Sequence, residues 1–202
     1  MSLISSQTPA VSLDRVVVVG TSGSGKSTLA RELAQRLDSP HVELDAIHWL
    51  PGWVEKDPEK FRLGVRDAVA GDRWVVDGNY ARVRDLVWPR ATAILWLDYR
   101  FPIVFWRALL RTVSRVVRRE VVHGNRESLR VAFLSRYGIP WWVVRTHRKR
   151  HREFSALFAG SRWGDVPVTV LRSPRDAERF LVELPATDMA RRAAVAVTDA
   201  GT

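Results

Sequence analysis

Gly20-Thr21-Ser22-Gly23-Ser24-Gly25-Lys26-Ser27 sets glycines, a lysine and a hydroxyl in the spacing G-x-x-x-x-G-K-S, the Walker A pattern. Each residue type has a reason to be there if the ligand is a chain of phosphates. Glycines adopt backbone conformations closed to other residues and let main-chain N–H groups approach phosphate oxygens. The Lys26 ammonium can reach β- and γ-phosphates, and the Ser27 hydroxyl can ligate Mg²⁺. The competing reading is a glycine-rich turn whose serines cap a helix. Context separates the two. Arg15-Val16-Val17-Val18-Val19 is a short β-branched run of the kind buried on both faces of a parallel sheet. From Lys26 onward, Leu29, Ala30, Leu33, Ala34 and Leu37 have the period of an amphipathic helix. The motif therefore fills a strand-to-helix turn, where unsatisfied N–H groups and the positive end of the helix dipole favour an anion. A nucleotide-phosphate site is expected over Gly20, Thr21, Ser22, Gly23, Ser24, Gly25, Lys26, Ser27 and Thr28.

Acids stand where such a site would need them. His41-Val42-Glu43-Leu44 reads as a strand delivering Asp45 to its C-terminal end. Glu43 and Asp45 are two apart, so strand geometry continued to Asp45 would point both carboxylates the same way. Asp45 there can orient or deprotonate an acceptor hydroxyl; the alternative is an Asp that caps the following loop. Asp77 ends the apolar strand Arg73-Trp74-Val75-Val76 and precedes a glycine. An acid so placed commonly holds Mg²⁺ through water, against the plainer reading of an Asp-Gly turn. Asp98 also ends a strand, Ala93 to Leu97, and reads as a helix entry.

Arginines supply the opposite charge. Arg107, Arg111, Arg115 and Arg118 recur at spacings of four, four and three and so line one helix face. Arg107 and Arg111, nearest the strand end, are the candidates to neutralise a transferring phosphoryl group; a solvated basic face is the alternative. Arg118, Arg119, Arg126 and Arg130 surround a glycine-containing interruption, the composition of a lid over about residues 112–137. The run Arg145 to Arg152 is dense in base and suits a polyanion, but it lacks interleaved aromatics that would stack bases. Its histidines have no partner spacing for a metal. Trp49 and Trp53 are placed to wall an acceptor pocket, while Trp74 and Trp96 belong to the core.

The elements that must position these residues alternate strand and helix along the whole chain. That pattern implies a parallel sheet covered on both faces, with ligands beyond the strand C-terminal ends. Helices are expected from Lys26 to Leu37, from Pro58 with Asp57 as N-cap, from Pro102 to about Arg119, from Trp141 to Phe158 and from Pro174 to Leu184. Ala46 to Lys56 reads as a loop, and Val166 to Leu171 as the last strand. At 202 residues the chain suits one α/β domain over 14–184, between a frayed terminus over 1–13 and a disordered tail over 185–202. The absence of cysteine rules out disulfides and thiolate metal sites and accords with a cytoplasmic setting. No apolar run approaches the ~18 residues of a membrane span. The net charge of +10 is uneven: residues 100–152 carry 14 Lys/Arg against Glu120 and Glu127, so one segment holds the whole excess.

With these motifs assembled, the chain resembles the nucleoside-monophosphate-kinase group of P-loop proteins. The likeness is nearest to small bacterial proteins labelled adenylate-kinase-like or DNA-topology-modulation proteins. It rests on the glycine loop, Leu44-Asp45-Ala46-Ile47-His48-Trp49 with Pro51-Gly52-Trp53, and Trp74-Val75-Val76-Asp77-Gly78-Asn79-Tyr80. Ile94 to Asp98, Gly124-Asn125-Arg126-Glu127-Ser128 and Leu171-Arg172-Ser173-Pro174 complete it. The resemblance implies a three-layer P-loop fold with a five-stranded parallel sheet, ATP with Mg²⁺, and a helical lid. Asp77-Gly78-Asn79-Tyr80 occupies the place of the Asp-Gly-Phe-Pro-Arg stretch of adenylate kinases. No Pro-Arg follows here, and Arg82 and Arg84 are the nearest substitutes for the acceptor-phosphate arginine. Glu43-x-Asp45 is similar to the acidic pair of shikimate-kinase-like enzymes, whose acceptor is a hydroxyl of a small metabolite. The expectation is transfer of the γ-phosphoryl group of ATP to a small acceptor, nucleotide or hydroxylated metabolite. Its rival is an ATP-dependent regulator or nucleic-acid binder using residues 100–152.

Overall fold

A computed structural model describes residues 11–118, 121–122, 125–126, 139–160 and 166–184, with side chains between 115 and 142 not among them. Residues 1–10 of the frayed terminus expected over 1–13, most of the lid beyond residue 118 and the tail over 185–202 therefore lie outside the described residues. The strands are β1 (Arg15–Gly20), β2 (His41–Glu43), β3 (Trp49–Leu50), β4 (Val54–Glu55), β5 (Trp74–Asp77), β6 (Ala93–Leu97), β7 (Val121–Val122), β8 (Asn125–Arg126) and β9 (Val168–Leu171). The helices are α1 (Lys26–Arg36), α2 (Leu44–His48), α3 (Pro58–Ala68), α4 (Arg84–Val87), α5 (Phe101–Arg118), α6 (Ile139–Ala159) and α7 (Pro174–Val182).

Five strands form one parallel sheet in the order β2-β5-β1-β6-β9, while β3-β4 and β7-β8 are small antiparallel hairpins. β1 is central because its valines pack on both sides. Val16 and Val18 enter a core with Leu29, Leu33, Val104, Ala108 and Leu181. Val17 and Val19 enter a second core with Phe61, Val65, Trp74, Trp88 and Phe154. The period-2 alternation of a strand thus divides one valine run between two helical layers. Helices α1, α5 and α7 cover one face; α3, α4 and the second half of α6 cover the other. This is the three-layer α/β architecture expected from the alternation of elements.

Local chemistry sets the element ends. Asp57 caps α3, its side chain accepting from the N–H groups of Glu59 and Lys60 at 3.1 Å each, with Pro58 in the first turn. Such a cap contributes about 1 kcal/mol. Ser173 does the same for α7. Four expectations change. The strand leading to Asp45 stops at Glu43, and Asp45 lies in the first turn of the short helix α2. Glu43 and Asp45 therefore do not share a strand face; Glu43 instead pairs in register with Asp77 across the sheet. The expected loop over Ala46 to Lys56 is half helix and half hairpin, turning at Pro51-Gly52. Helix α6 begins at Ile139 and not at the expected Trp141, since proline is tolerated in a first helical turn.

Candidate active site

The connection from β1 leaves toward β2 on one side of the sheet and that from its neighbour β6 leaves toward β9 on the other, which makes the C-terminal end of β1 the place where ligands bind in such sheets. The glycine loop lies there. Gly20, Gly23 and Gly25 have φ of +152°, +87° and +96°. A Cβ on Gly23 would meet Ala108 Cβ at 2.8 Å and the Val104 carbonyl at 3.0 Å, so glycine is also what lets α5 lie on the loop. Thr21 and Ser24 are buried, with Ser24 N–H donating to the Thr21 carbonyl at 3.1 Å. Lys26 Nζ donates to the same carbonyl at 3.3 Å, folded back over the loop. Ser27 is half-buried at the start of α1, and Thr28 beside it is exposed.

Lys26 is the electrostatic centre of the site. Burial pulls its ammonium pKa down, the charges of Asp45 and Asp77 oppose that shift, and Arg111 and Arg150 add to it. Four of the residues acting on this lysine come from four separate elements: α2, β5, α5 and α6. Asp77 is 2% exposed, and neither of its carboxylate oxygens has a hydrogen-bond partner among the described residues. His41 Nε2 lies 3.6 Å from Asp77 Oδ1. An unsatisfied buried carboxylate whose charge acts on Lys26 suits a hard oxygen-seeking cation. Mg²⁺ keeps several waters and takes few protein ligands, so Ser27 and Asp77 fit it without a dedicated cage. The described residues indeed contain no cluster of three or more metal-ligating side chains.

Asp45, the residue expected to face an acceptor, is exposed. Tyr80 O–H donates to Asp45 Oδ1 at 2.7 Å, while the Trp49 side chain donates to the Tyr80 oxygen. Burial and the Asp45 charge push the Tyr80 phenol well above its ordinary pKa, so it stays a donor. Beneath it His48 is buried, 4.6 Å from the Tyr80 ring and 4.9 Å from Phe61. Burial holds His48 below its ordinary pKa of 6.5, which makes it a neutral wall. Trp49 and Trp53 stand edge to face at 5.7 Å on the β3-β4 hairpin, next to Asp45 in the chain.

Two arginines of α5 lie near the glycine loop. The Arg107 guanidinium lies against Gly25, and Arg111 acts on Lys26. The side chains of Arg115, Arg118, Arg126 and Arg130 are outside the described residues. Helix α6 brings a further arginine that spacing alone did not single out. Glu153 bonds Arg150 and Arg84 at 2.9 Å each, and Arg84 covers the Trp88 ring at 4.8 Å. His151 Nδ1 meets Asp98 Oδ1 at 2.7 Å, and His147 Nε2 meets the Tyr99 carbonyl at 2.9 Å. The run Arg145 to Arg152 is therefore divided: His147, Arg150 and His151 engage the protein, while Arg145, Arg148, Lys149 and Arg152 remain exposed. Asn79 is a second residue that the motif reading did not assign. It holds both backbone polar groups of Gly20.

Comparison with known proteins agrees with this architecture. Residues 16–76, from β1 through the glycine loop to β5, match the family described as "ATPase family associated with various cellular activities (AAA)". A 63-residue stretch is 33% identical to the YqaC protein of Bacillus subtilis (strain 168), covering 30% of this chain and 35% of that protein. The match thus spans about a third of the relative's length. The shikimate kinase from Acinetobacter baumannii in complex with shikimate superposes with a TM-score of 0.52 and 15% identity, over 90% of this chain and 96% of that one. The shikimate kinase from Bacteroides thetaiotaomicron gives 0.51 and 13%, over 85% and 96%. At such identities the likeness is one of fold: this chain has the α/β fold seen in those two kinases. No helix among the described residues is long and apolar enough to cross a membrane.

Proposed function

We propose that the chain is a P-loop phosphotransferase that binds ATP with Mg²⁺ and moves the γ-phosphoryl group to a hydroxyl of a small acceptor, in the cytoplasm. The observation that carries this reading is geometric: the glycine loop lies at the C-terminal end of β1, and an exposed Asp45 carboxylate, held by the Tyr80 hydroxyl at 2.7 Å, is near enough for its charge to act on Lys26. A mechanical ATPase needs the loop and Asp77; an exposed carboxylate held by a tyrosine is a group that an acceptor hydroxyl can use.

In the proposed reaction the loop amides from Gly20 to Thr28 and Lys26 hold the β- and γ-phosphates. Ser27 and Asp77 would hold Mg²⁺, which would supply neutralisation of phosphate charge. Asp45 accepts the proton of the acceptor hydroxyl as its oxygen bonds to the γ-phosphorus. The bond from that phosphorus to the bridging oxygen breaks, and its electron pair leaves with ADP. Arg107 and Arg111 offset the charge that spreads over the transferring group. Titration calorimetry with MgATP tests the donor half, since Lys26→Ala is expected to abolish tight binding. ADP release screened against nucleoside monophosphates and hydroxylated metabolites tests the acceptor half. Stimulation by one small molecule supports transfer; stimulation only by duplex DNA, with steep salt dependence, supports the nucleic-acid reading of the exposed cations on α6.

A further inference from the structure

Gly20 is the last residue of β1 and the first of the phosphate loop. On one side it pairs with Leu97 of β6. On the other, β5 ends at Asp77, opposite Val18, and Gly78 leaves the strand with φ of +139°. A Cβ on Gly78 would lie 2.8 Å from Leu44 Cβ, so the chain passes directly over β2's end. The ladder has therefore run out of backbone partners at the residue where the phosphate loop begins.

The Asn79 side chain takes over that pairing. Its Oδ1 accepts from the Gly20 N–H at 3.3 Å, and its Nδ2 donates to the Gly20 carbonyl at 2.5 Å. A primary amide presents a donor and an acceptor in one plane, as a peptide group does, and so continues a β-ladder by one position. Asp cannot donate here, and Ser cannot reach both groups in the same way. The neighbours of Asn79 give this bond its functional weight. The charge of Asp77 acts on Lys26, and Tyr80 holds Asp45. Within four consecutive residues, Asp77, Asn79 and Tyr80 thus reach the lysine, the phosphate loop and the Asp45 carboxylate.

We propose that Asn79 is a positioning residue whose side-chain amide registers the phosphate loop, through Gly20, against the segment that also carries Asp77 and Tyr80. The placement of the loop is a property of the free protein; its effect on turnover rests on the phosphotransferase reading above. A phosphate loop displaced by one ångström relative to Asp45 loses in-line geometry even when ATP still binds.

Hydrogen exchange of the ligand-free protein is the direct test, with Asn79→Ala and the isosteric Asn79→Asp. Loss of the clamp is expected to speed exchange of the amides from Gly20 to Gly25 about tenfold, the equivalent of one net hydrogen bond, with β6 and α1 unchanged. MgATP affinity is expected to fall by a similar factor and kcat by more, with little change in melting temperature. Asn79→Asp keeps the shape and one acceptor but faces the Gly20 carbonyl with a carboxylate, and it should match Asn79→Ala or exceed it. Should the alanine variant not fold, this isosteric variant carries the test. Tyr80→Phe should leave exchange in the loop untouched. Unchanged protection of Gly20 to Gly25 in both variants overturns the proposal. So does a uniform loss of protection across β1, β5 and β6 that tracks the melting temperature, because that is a structural role only. Absence of MgATP binding in the wild-type chain counts against the phosphotransferase reading, while the exchange comparison, made without ligand, still decides for or against the clamp.

Discussion

The Arg107 guanidinium rests on Gly25, where a Cβ would lie 2.8 Å from Nη2. Helix α5 thereby brings a charge to the last glycine before Lys26. Gly25 has φ of +96°, so Gly25→Ala imposes a left-handed conformation costing about 1–2 kcal/mol. The end of Arg107 is flexible and can move aside, so the fold should survive. The N–H directions of the loop should not, and MgATP binding is expected to be lost while the far-UV spectrum is retained. Arg107→Ala makes the opposite separation: the loop stays as it is, ATP affinity changes a few-fold, and turnover falls roughly 10²-fold. Equal losses of affinity and turnover in Arg107→Ala would show that it acts on bound ATP rather than on the transferring group.

Glu153 holds Arg84 and Arg150 together at 2.9 Å each and joins α4 to α6. Burial raises its carboxyl pKa, but the hydrogen bond from Arg84 and the charge of Arg150 outweigh that, and the net shift is downward. A carboxylate with a depressed folded pKa contributes stability above its unfolded value, and that contribution is lost as pH falls through the folded pKa. Glu153→Gln is therefore expected to lower stability at neutral pH by about 1 kcal/mol, a modest figure because the pair is partly solvated. The difference from wild type should hold down to the ordinary value of 4.5 and shrink below it. Thermal melts of both proteins across that range measure it. A difference that stays constant into acid would place the effect in packing instead of charge.

The glycine loop between strand and helix was readable in the sequence because it is local: the Gly20 to Ser27 spacing, the valine run and the following helix are contiguous, and each constrains the next. The sheet and its two covered faces were readable for the same reason, from the alternation of short apolar runs with amphipathic ones. What escaped depends on contacts between distant residues. Asp45 follows an apolar strand in the sequence, yet the strand stops at Glu43 because Leu44 to His48 turn into a helix that buries Leu44 and His48. Arg150 sits in a run of basic residues that periodicity cannot divide; only the packing of α6 against Tyr99 and Asp98 brings its charge within reach of Lys26. Asn79 drew no role from the sequence, since nothing there announces a side chain that continues a ladder across 59 residues.

Lys26 offers a test that reads the phosphate site without any acceptor. Burial, Arg111 and Arg150 hold its folded pKa below the ordinary 10.5, despite Asp45 and Asp77. Between those two pKa values the unfolded chain binds the extra proton, so the free protein gains stability as pH rises through the window. Phosphates reverse the preference, because they favour the charged ammonium. MgATP binding in that window must then take up a proton, and affinity must fall as pH rises, by up to about tenfold per unit once the free protein's lysine is neutral. Calorimetry at alkaline pH in buffers of different ionisation enthalpy measures the uptake directly. Lys26→Arg keeps a permanent charge, so any binding it retains should show neither buffer dependence nor a falling limb. Identical proton uptake in wild type and Lys26→Arg would remove Lys26 from the phosphate site and assign the titration to another group.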